Sequence, residues 1–354
     1  MAALTRPTPS DDTLLGITEL LMADSKTYFG PRDVLAITPT GLINGRNSTI
    51  LKSRVSFPDS HMNIFIKVAK LRKASSKHRQ VAQERVRTEC DVATLVYDGF
   101  KEHADDYSCI RPIACFPDLL AFVTEECPGQ RFMSLLEKKA IFFRGNATEN
   151  RLARYCYLSG QWLNIFQEKT NTDDRPFVPG ELVEYVDTRL QRLVDSPVIP
   201  FDSELRKGIL EFFESQQPFL KDANLATCGV TGDFVPANVL AHEDKITVLD
   251  FGMYRHGSIY EDLAQYYQHL AFFLQKPIYQ RKRISRLQRE FLRGYDPDFD
   301  VANPMFKLFR VRAVINRLAA TAVRKWDKLP LHVKLFNRAG WRKQLEQLRH
   351  LENW

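Results

Sequence analysis

The chain has 354 residues and a formal net charge of +7, with 44% hydrophobic and 26% charged residues. This length and composition are ordinary for a soluble protein with sizeable cores. No apolar stretch approaches the roughly 18 residues of a membrane span, and residues 1–10 lack the apolar segment of a signal peptide. We therefore expect a cytoplasmic protein without a membrane span.

The mild excess of basic residues is a weak sign of nucleic-acid binding, but a plain basic surface is the favoured explanation, and we expect no nucleic-acid partner. It also weighs against a polycationic acceptor, whose pocket needs an excess of carboxylates. No C-x-x-C spacing occurs, which argues against a cysteine metal site. The six cysteines are Cys90, Cys109, Cys115, Cys127, Cys156 and Cys228.

The predicted elements begin with a helix over residues 11–24 and two strands at 34–37 and 49–57. A loop at 40–48 joins these strands and contains two glycines and several small polar residues. Backbone N–H groups of such a loop can face phosphate oxygens, although a plain hairpin has the same composition.

A strand at 61–70 follows, with Ile64, Ile66 and Val68 on one face and Lys67 on the other. The helix predicted over 78–100 ends at Gly99. It carries two acidic residues, Glu84 and Glu89, which lie five positions apart and therefore on different faces.

Strands at 109–115 and 119–124 come next and lead into the acidic stretch that starts at Glu125. Helices dominate the remainder of the chain. They are predicted at 132–138, 151–170, 181–193, 203–220, 259–275, 280–294, 304–326 and 331–350. The chain thus begins with a segment that contains several strands and continues as a mainly helical segment.

Three polar residues, Asp233, Asn238 and Asp250, lie around a predicted hairpin. A loop containing Pro236 joins Asp233 to Asn238, and the apolar runs 239–241 and 246–249 form the hairpin. The hairpin would return Asp250 to the side of Asn238. Two oxygen ligands without His or Cys suit Mg²⁺, and Asp233 is placed to accept a proton from a hydroxyl.

This stretch resembles the paired motifs of the aminoglycoside phosphotransferase and choline kinase superfamily, H-G-D-x-x-x-x-N and, after a strand, I-D-F. Thr231-Gly232-Asp233 stands where His-Gly-Asp is usual, and Leu249-Asp250-Phe251 stands where the second motif falls. Thr231 departs from the family pattern, in which a His braces the loop. Residues 260–264 are similar to the helix start whose Asp, here Asp262, steadies the catalytic loop.

The resemblance implies an α+β, bilobal protein-kinase-like fold. The N-terminal nucleotide-binding lobe at 1–126 would contain a small antiparallel sheet, and the C-terminal lobe at 127–354 would be mostly helical. The catalytic loop would be 231–238 and the metal motif 250–252. Asp233 would be the catalytic residue, and Asn238 and Asp250 would bind Mg²⁺. Lys67, held by Glu89 rather than Glu84, would contact the α and β phosphates of ATP.

The remaining nucleotide contacts implied by the resemblance lie in two segments. The loop at 40–48 would cover the phosphates, and the segment after the fifth strand would hydrogen-bond adenine through its backbone. The residues in question are Gly41, Gly45, Asn47, Ser48, Glu125 and Cys127.

The favoured function is phosphoryl transfer from ATP to a hydroxyl of a small molecule, with a sugar, amino alcohol, aminoglycoside-like molecule or glycan as the acceptor. A protein kinase is less favoured because Gly232 replaces the Arg of H-R-D and Asp262 follows Asp250 too closely for a long activation segment. A nucleotide-binding pseudokinase is the third possibility. The choice between ATP and GTP, the oligomeric state and the role of the basic C-terminal helices stay open.

Overall fold

The computed structural model describes residues 11–45, 47–71, 75–139, 146–171, 177–222, 227–275, 278–322, 326 and 329–351. The chain divides into two compact units. The first comprises residues 1–129 and 245–254, and the second comprises 130–244 and 255–354.

The first unit combines a sheet with three helices. The helices are α1 (Asp11–Ala23), α2 (Ser25–Phe29) and α3 (Ser76–Gly99). The sheet strands are β1 (Ala36–Asn44), β2 (Ser48–Ser56), β3 (His61–Ala69), β4 (Pro112–Phe116) and β5 (Ala121–Glu125). They pair antiparallel in the order β1-β2-β3-β5-β4.

The alternation of β3 decides which side chains enter the core of this unit. Ile64 and Ile66 are fully buried, and they pack with Ile17 of α1 and Val55 of β2. Lys67 points to the opposite, partly exposed face because successive strand residues alternate between faces. The predicted placement of this lysine is therefore correct.

The predicted loop at 40–48 is wrong for its first half. Gly41 lies inside β1 and pairs with Lys52 of β2, next to a register shift after Pro39. Leu42 and Ile43 continue the strand because apolar and β-branched residues favour cross-strand packing. The turn proper is shorter, and it is closed by a hydrogen bond from the Gly45 N–H to the Ser48 carbonyl (2.9 Å).

A disulfide connects Cys90 of α3 with Cys115 of β4. Cys90 is buried, whereas Cys115 is exposed. The bridge attaches the middle of the helix to an edge strand of the sheet. The spacing of the cysteines in the sequence gave no sign of it.

The second unit is mainly helical. Its helices are α4 (Phe132–Lys139), α5 (Asn146–Lys169), α6 (Pro179–Val194), α7 (Ser203–Ser215), α8 (Gln217–Asp222), α9 (Tyr260–Ala271), α10 (Arg281–Tyr295), α11 (Pro304–Ala322) and α12 (Leu331–Arg349). Its strands are β6 (Gln130–Arg131), β7 (Thr227–Val230), β8 (Val239–His242) and β10 (Arg255–Ser258). The intervening β9 (Lys245–Val248) belongs to the first unit.

Two helix predictions in this unit need correction. Helix α5 begins at Asn146, earlier than the predicted Arg151. The single helix predicted over 203–220 is interrupted at Gln216, so that α7 and α8 are separate. Pro218 explains the interruption, since proline has no N–H to continue the helical hydrogen bonds and its ring clashes with the preceding turn.

Helices α5 and α10 approach each other closely at a pair of glycines. A Cβ atom on Gly160 would lie 2.0 Å from the Phe291 carbonyl oxygen, and one on Gly294 would lie 2.0 Å from the Tyr157 carbonyl oxygen. Neither position has room for a side chain, because the obstacle in both cases is backbone. The two glycines therefore fix the distance between the helices.

Candidate active site

Lys67 is the centre of an ion-pair network in the first unit. Its Nζ lies 2.7 Å from Glu89 Oε1 on α3 and 3.0 Å from Asp250 Oδ1, in the segment that follows β9. Glu84 is elsewhere: its side chain is exposed and pairs with Arg87 on its own helix. Of the two glutamates on α3, Glu89 is thus the one that reaches Lys67.

Burial and charge act in opposite directions on these side chains. Burial alone would lower the pKa of Lys67, but the carboxylates of Glu89 and Asp250 outweigh it and raise that pKa. Burial pushes the pKa of Glu89 upward, and Lys67 opposes that effect. We conclude that Lys67 is firmly cationic, which is the state that attracts phosphate oxygens.

The backbone of Asp250 is in the left-handed region, with φ 69°. This conformation is uncommon for a residue with a side chain and costs about 1 kcal/mol or more. The buried ring of the next residue, Phe251, anchors the segment, and the Tyr254 N–H donates to the Phe251 carbonyl (2.9 Å). The turn leaves the Asp250 side chain about half exposed.

The predicted phosphate loop is a short turn with its own contacts. The Lys70 N–H donates to the Asn47 carbonyl (2.8 Å), and Lys70 Nζ donates to the Gly45 carbonyl (3.1 Å). Gly45, Asn47 and Ser48 therefore stay together at the tip between β1 and β2. Gly41 is separated from them by strand residues, and Arg46 lies outside the described residues.

The predicted adenine segment begins at the end of β5. The Glu126 N–H donates to the Asn63 carbonyl (2.9 Å), which continues the pairing of β5 with β3. Cys127 Sγ lies 3.7 Å from the Cys109 carbonyl and 3.8 Å from Thr247 Oγ1. Burial raises the pKa of the Cys127 thiol, so it stays protonated.

The second unit holds the predicted catalytic loop, which aromatic stacking anchors. Phe234 is buried, and its ring stacks on Trp162 of α5 at 5.5 Å between ring centroids. Tyr266 of α9 also contacts Phe234, at 5.0 Å between ring centroids. Asp233, next to Phe234 in the sequence, is exposed. The loop therefore presents a carboxylate to solvent from a rigid base.

Thr231 takes part in bracing this loop. Its N–H donates to Asp262 Oδ2 of α9 (2.6 Å), and its hydroxyl accepts from the Asp233 N–H (3.3 Å). Burial raises the pKa of Asp262 to about 6, while the Thr231 hydrogen bonds act in the opposite direction. A threonine thus connects the loop to α9 in the position where the family pattern has a histidine.

Asn238 performs a separate task in the same loop. Its Nδ2 donates to the Asp233 carbonyl (2.9 Å) and to Asp233 Oδ2 (3.0 Å). Because the amide nitrogen is engaged in this way, the amide oxygen is the atom left for a cation. Asn238 can therefore orient Asp233 and ligate a metal with different atoms.

The donor atoms fit Mg²⁺ by their chemistry. Asn238 and Asp250 offer oxygen only, and hard cations prefer oxygen. Among the described residues, no three His, Cys, Asp or Glu side chains cluster into a metal site. Mg²⁺ is usually held by only one or two protein side chains, and it takes its other ligands from water and substrate phosphates.

Two features near the loop were not predicted. Gln265 of α9 reaches the carboxylate of Asp233, with Nε2 3.3 Å from Oδ1. Glu261, also on α9, forms ion pairs with Arg255 and with the buried Arg312 of α11 (2.7 Å to the latter). The contacts of Gln265 with Asp233 and of Glu261 with Arg312 join residues far apart in the sequence, and no local motif marks them.

Residues 122–304, just over half of the chain, match the model of the phosphotransferase enzyme family. The chain belongs to this family. Its activity is therefore a kinase-type phosphoryl transfer, and the resemblance drawn from the motifs is confirmed. The matched range contains Asp233, Asn238, Asp250 and Gln265. The assignments of Lys67 and Glu89 lie outside it and depend on the geometry of the first unit.

Solved structures share the fold at low sequence identity. An ethanolamine kinase of Plasmodium vivax is 12% identical, with a TM-score of 0.56 and 95% of this chain and 88% of that one covered. A choline kinase of Cryptosporidium parvum Iowa II is 13% identical (TM-score 0.54, 97% and 95% covered). Choline kinase LicA of Streptococcus pneumoniae is 11% identical (0.52, 94% and 99%). These likenesses confirm the predicted α+β, protein-kinase-like fold.

No curated protein sequence matches the chain at a significant level. None of the helices in the described ranges combines the length and the apolar composition that a membrane-spanning segment requires.

Proposed function

We propose that this phosphotransferase uses ATP and Mg²⁺ to phosphorylate a hydroxyl of a small molecule. The observation that carries the proposal is the contact of Lys67 with both Glu89 and Asp250, at 2.7 and 3.0 Å. These three residues come from a strand, a helix and a turn, and their sequence separations are 22 and 183 residues. Such a lysine, held by one carboxylate beside another, suits phosphate binding next to a cation.

The proposal gives each site residue one role. Lys67 binds the α and β phosphates, and Glu89 holds its ammonium in place. Asn238 and Asp250 are the Mg²⁺ ligands, and the bound cation offsets the charge on the phosphoryl oxygens. Gly45, Asn47 and Ser48 lie at the turn proposed to cover the phosphates, and Glu125 and Cys127 offer backbone groups to adenine.

Asp233 acts on the acceptor. The acceptor oxygen forms a bond to the γ-phosphorus while the bond from that phosphorus to the β–γ bridging oxygen breaks. The hydroxyl proton passes to Asp233, and ADP leaves. Since the transition state of this transfer is loose, Asp233 contributes as much by orienting the hydroxyl as by taking its proton.

The acceptor screen starts with amino alcohols. The similar structures with the higher TM-scores are described as choline and ethanolamine kinases, and one LicA structure is a complex with AMP. A cationic acceptor would need carboxylates, and Glu181 and Glu184 of α6 are exposed. Asp187 of the same helix is already paired with Arg206, at 2.6 Å. Sugars, aminoglycosides and glycans complete the screen.

The first test is stabilisation by nucleotide. Ligands that bind only the native state raise the unfolding midpoint, so ATP should raise the Tm of the wild type more with Mg²⁺ than without it. The Mg²⁺-dependent part should disappear in Asp250→Ala. Absence of any shift with ATP or GTP would overturn the nucleotide site.

The second test measures transfer. ATP consumption with each acceptor is compared between the wild type and Asp233→Asn, which keeps the shape of the side chain but removes its basicity. We expect consumption only in the wild type. A wild type that binds Mg²⁺ and ATP yet transfers phosphate to no acceptor, water included, would instead indicate a nucleotide-binding pseudokinase.

The cytoplasm remains the proposed location, and the disulfide provides a test of it. Cytosolic thiols are normally kept reduced, so Cys90 and Cys115 should both be alkylated when cells are lysed in a thiol-trapping reagent. Recovery of the oxidised pair from fresh lysate would argue for an oxidising compartment.

A further inference from the structure

Helix α9 contacts the catalytic loop at three successive points. Asp262 accepts the Thr231 N–H (2.6 Å), Gln265 Nε2 lies 3.3 Å from Asp233 Oδ1, and the ring of Tyr266 contacts that of Phe234. Residues three and four apart on a helix share a face. One face of α9 is therefore complementary to the loop, contact by contact.

The three contacts differ in burial. Asp262 and Tyr266 are buried, with relative exposures of 1% and 0%, and they hold the backbone and the aromatic base of the loop. Gln265 is only partly buried. It is the one residue of the three that touches the carboxylate proposed to react.

Amide groups hold the carboxylate of Asp233 from both sides. Asn238 Nδ2 donates to Oδ2 at 3.0 Å, and Gln265 Nε2 lies at 3.3 Å from Oδ1. A carboxylate offers about four lone-pair sites, so these two N–H groups do not by themselves exhaust its capacity to accept hydrogen bonds. Both donors are neutral, and they fix the carboxylate plane without cancelling its charge as an Arg or Lys would.

We infer that Gln265 is a positioning residue of the transfer reaction. Its amide holds Asp233 Oδ1 and thereby sets the direction in which the carboxylate meets the acceptor hydroxyl. Loss of the Gln265 donor removes one restraint on the rotation of the carboxylate, and misplacement of a catalytic group lowers the rate of the chemical step. This inference rests on the proposed function and extends it to a residue outside the two motifs.

The test separates charge from shape at position 265. Gln265→Glu keeps the shape, removes the N–H donor and places a carboxylate beside Asp233. Gln265→Leu removes the donor without adding charge. With ATP and Mg²⁺, and with water and ethanolamine as acceptors, we expect kcat to fall about tenfold in Gln265→Leu and further in Gln265→Glu. The KM for ATP should remain within about twofold of the wild-type value. The Tm should remain within about 2 °C of the wild-type value.

The matched control is Gln191→Glu on α6. Gln191 also donates its amide N–H to a carboxylate, Asp195 Oδ1 at 2.8 Å, but on an exposed surface. This variant should keep the wild-type kcat. A Gln265→Glu enzyme as active as the wild type would overturn the inference alone, as would a fall in kcat that follows a loss of Tm. If the wild type phosphorylates neither water nor ethanolamine, the comparison is made with the acceptor that the screen identifies. A wild type that binds ATP and phosphorylates no acceptor of the screen, water included, overturns the proposed role of Asp233, and the inference with it.

Discussion

Two partly buried ion-pair networks, one in each unit of the molecule, have opposite charge balance. In the first unit, one cation, Lys67, meets two carboxylates, Glu89 and Asp250. In the second unit, one carboxylate, Glu261, meets two cations, Arg255 and Arg312. The first network has a formal charge of −1, and the second has a formal charge of +1.

The networks also differ in how they meet solvent. The Asp250 side chain is 50% exposed, so the negative excess of the first network is accessible to a cation. In the second network, Glu261 and Arg312 are 9% and 6% exposed, and they join α9 to α11. The exposed carboxylate of the first network is suited to binding a cation, whereas the buried Glu261–Arg312 pair of the second is suited to holding helices together, although Arg255 is 44% exposed. Substitutions in the two networks should therefore have different consequences.

The largest effect on stability is expected for Glu261→Gln. The change leaves Arg312 buried beside a neutral group, and breaking a buried pair in this way costs about 3–5 kcal/mol. Urea unfolding of the wild type and the variant measures this loss of free energy. Glu181→Gln, on an exposed position of α6, is the matched control and should change the free energy of unfolding by less than about 0.5 kcal/mol. A loss below about 1 kcal/mol for Glu261→Gln would mean that the network contributes little.

The next largest loss of stability is expected in the first unit, when its disulfide is removed. Cys90 and Cys115 are 25 residues apart, and closing a loop of that length stabilises by about 3 kcal/mol in the chain-entropy account. Cys115→Ser removes the bridge at its exposed end without making a cavity. Its free energy of unfolding should equal that of the reduced wild type, and Cys109→Ser should match the oxidised wild type. Equal stability of oxidised and reduced wild type would contradict the prediction.

A pH dependence is expected from two buried groups on α9. Burial raises the pKa of Asp262 from 3.8 to about 6, and burial together with Arg317 lowers that of His269 from 6.5 to about 4. The folded state holds the Asp262 proton more tightly than the unfolded state, so this group stabilises below pH 4 and the effect is lost as pH rises through 6. For His269 the sign is reversed, and its stabilisation is lost as pH falls from 6.5 through 4.

Each of these two effects amounts to about 3 kcal/mol, and they oppose each other. As the pH falls from 6.5 to 4, the free energy of unfolding of Asp262→Asn should therefore decrease relative to that of the wild type, because only the histidine effect remains. The free energy of unfolding of His269→Gln should increase relative to that of the wild type over the same fall in pH, because only the aspartate effect remains. Chemical unfolding at several pH values measures both differences. Parallel curves for the wild type and either variant would show that the substituted group does not titrate as described.

The smallest effect on stability is expected for Glu89→Gln. Lys67 keeps Asp250 as a partner, so the loss should be about 1 kcal/mol. The same change should abolish most of the stabilisation by ATP, because Lys67 is no longer held toward the phosphates. Glu84→Gln on the same helix should change neither quantity. An equal loss of ATP stabilisation in both variants would show that Glu89 has no special role.

The sequence was informative where the chemistry is local. The spacing of Asp233, Asn238 and Asp250, and the alternation around Lys67, follow from short segments whose geometry is fixed by strand and turn rules. The bounds of the first strand were harder to predict because Gly41 and the polar residues near it resemble a loop, although the cross-strand partners of Leu42 and Ile43 extend the strand. Composition alone does not contain that pairing.

Three of the missed contacts join residues far apart in the sequence. Gln265 meets Asp233 across 32 positions, and Arg312 meets Glu261 across two helices. Cys90 and Cys115 are two of six scattered cysteines in the sequence, and only the packing of β4 against α3 brings them together. Such pairs depend on how helices and strands pack, and a single sequence has no signal for that packing.

The assignment of residues 245–254 to the first unit restricts how this protein can exchange parts with its relatives. Ser108 donates its N–H to the Ile246 carbonyl, and Lys67 pairs with Asp250. Both contacts join the first 129 residues to a segment inserted much later in the chain. A single crossover at Gly129 would therefore combine a lysine from one parent with an aspartate from the other. Chimeras that keep the first unit intact must exchange two segments together.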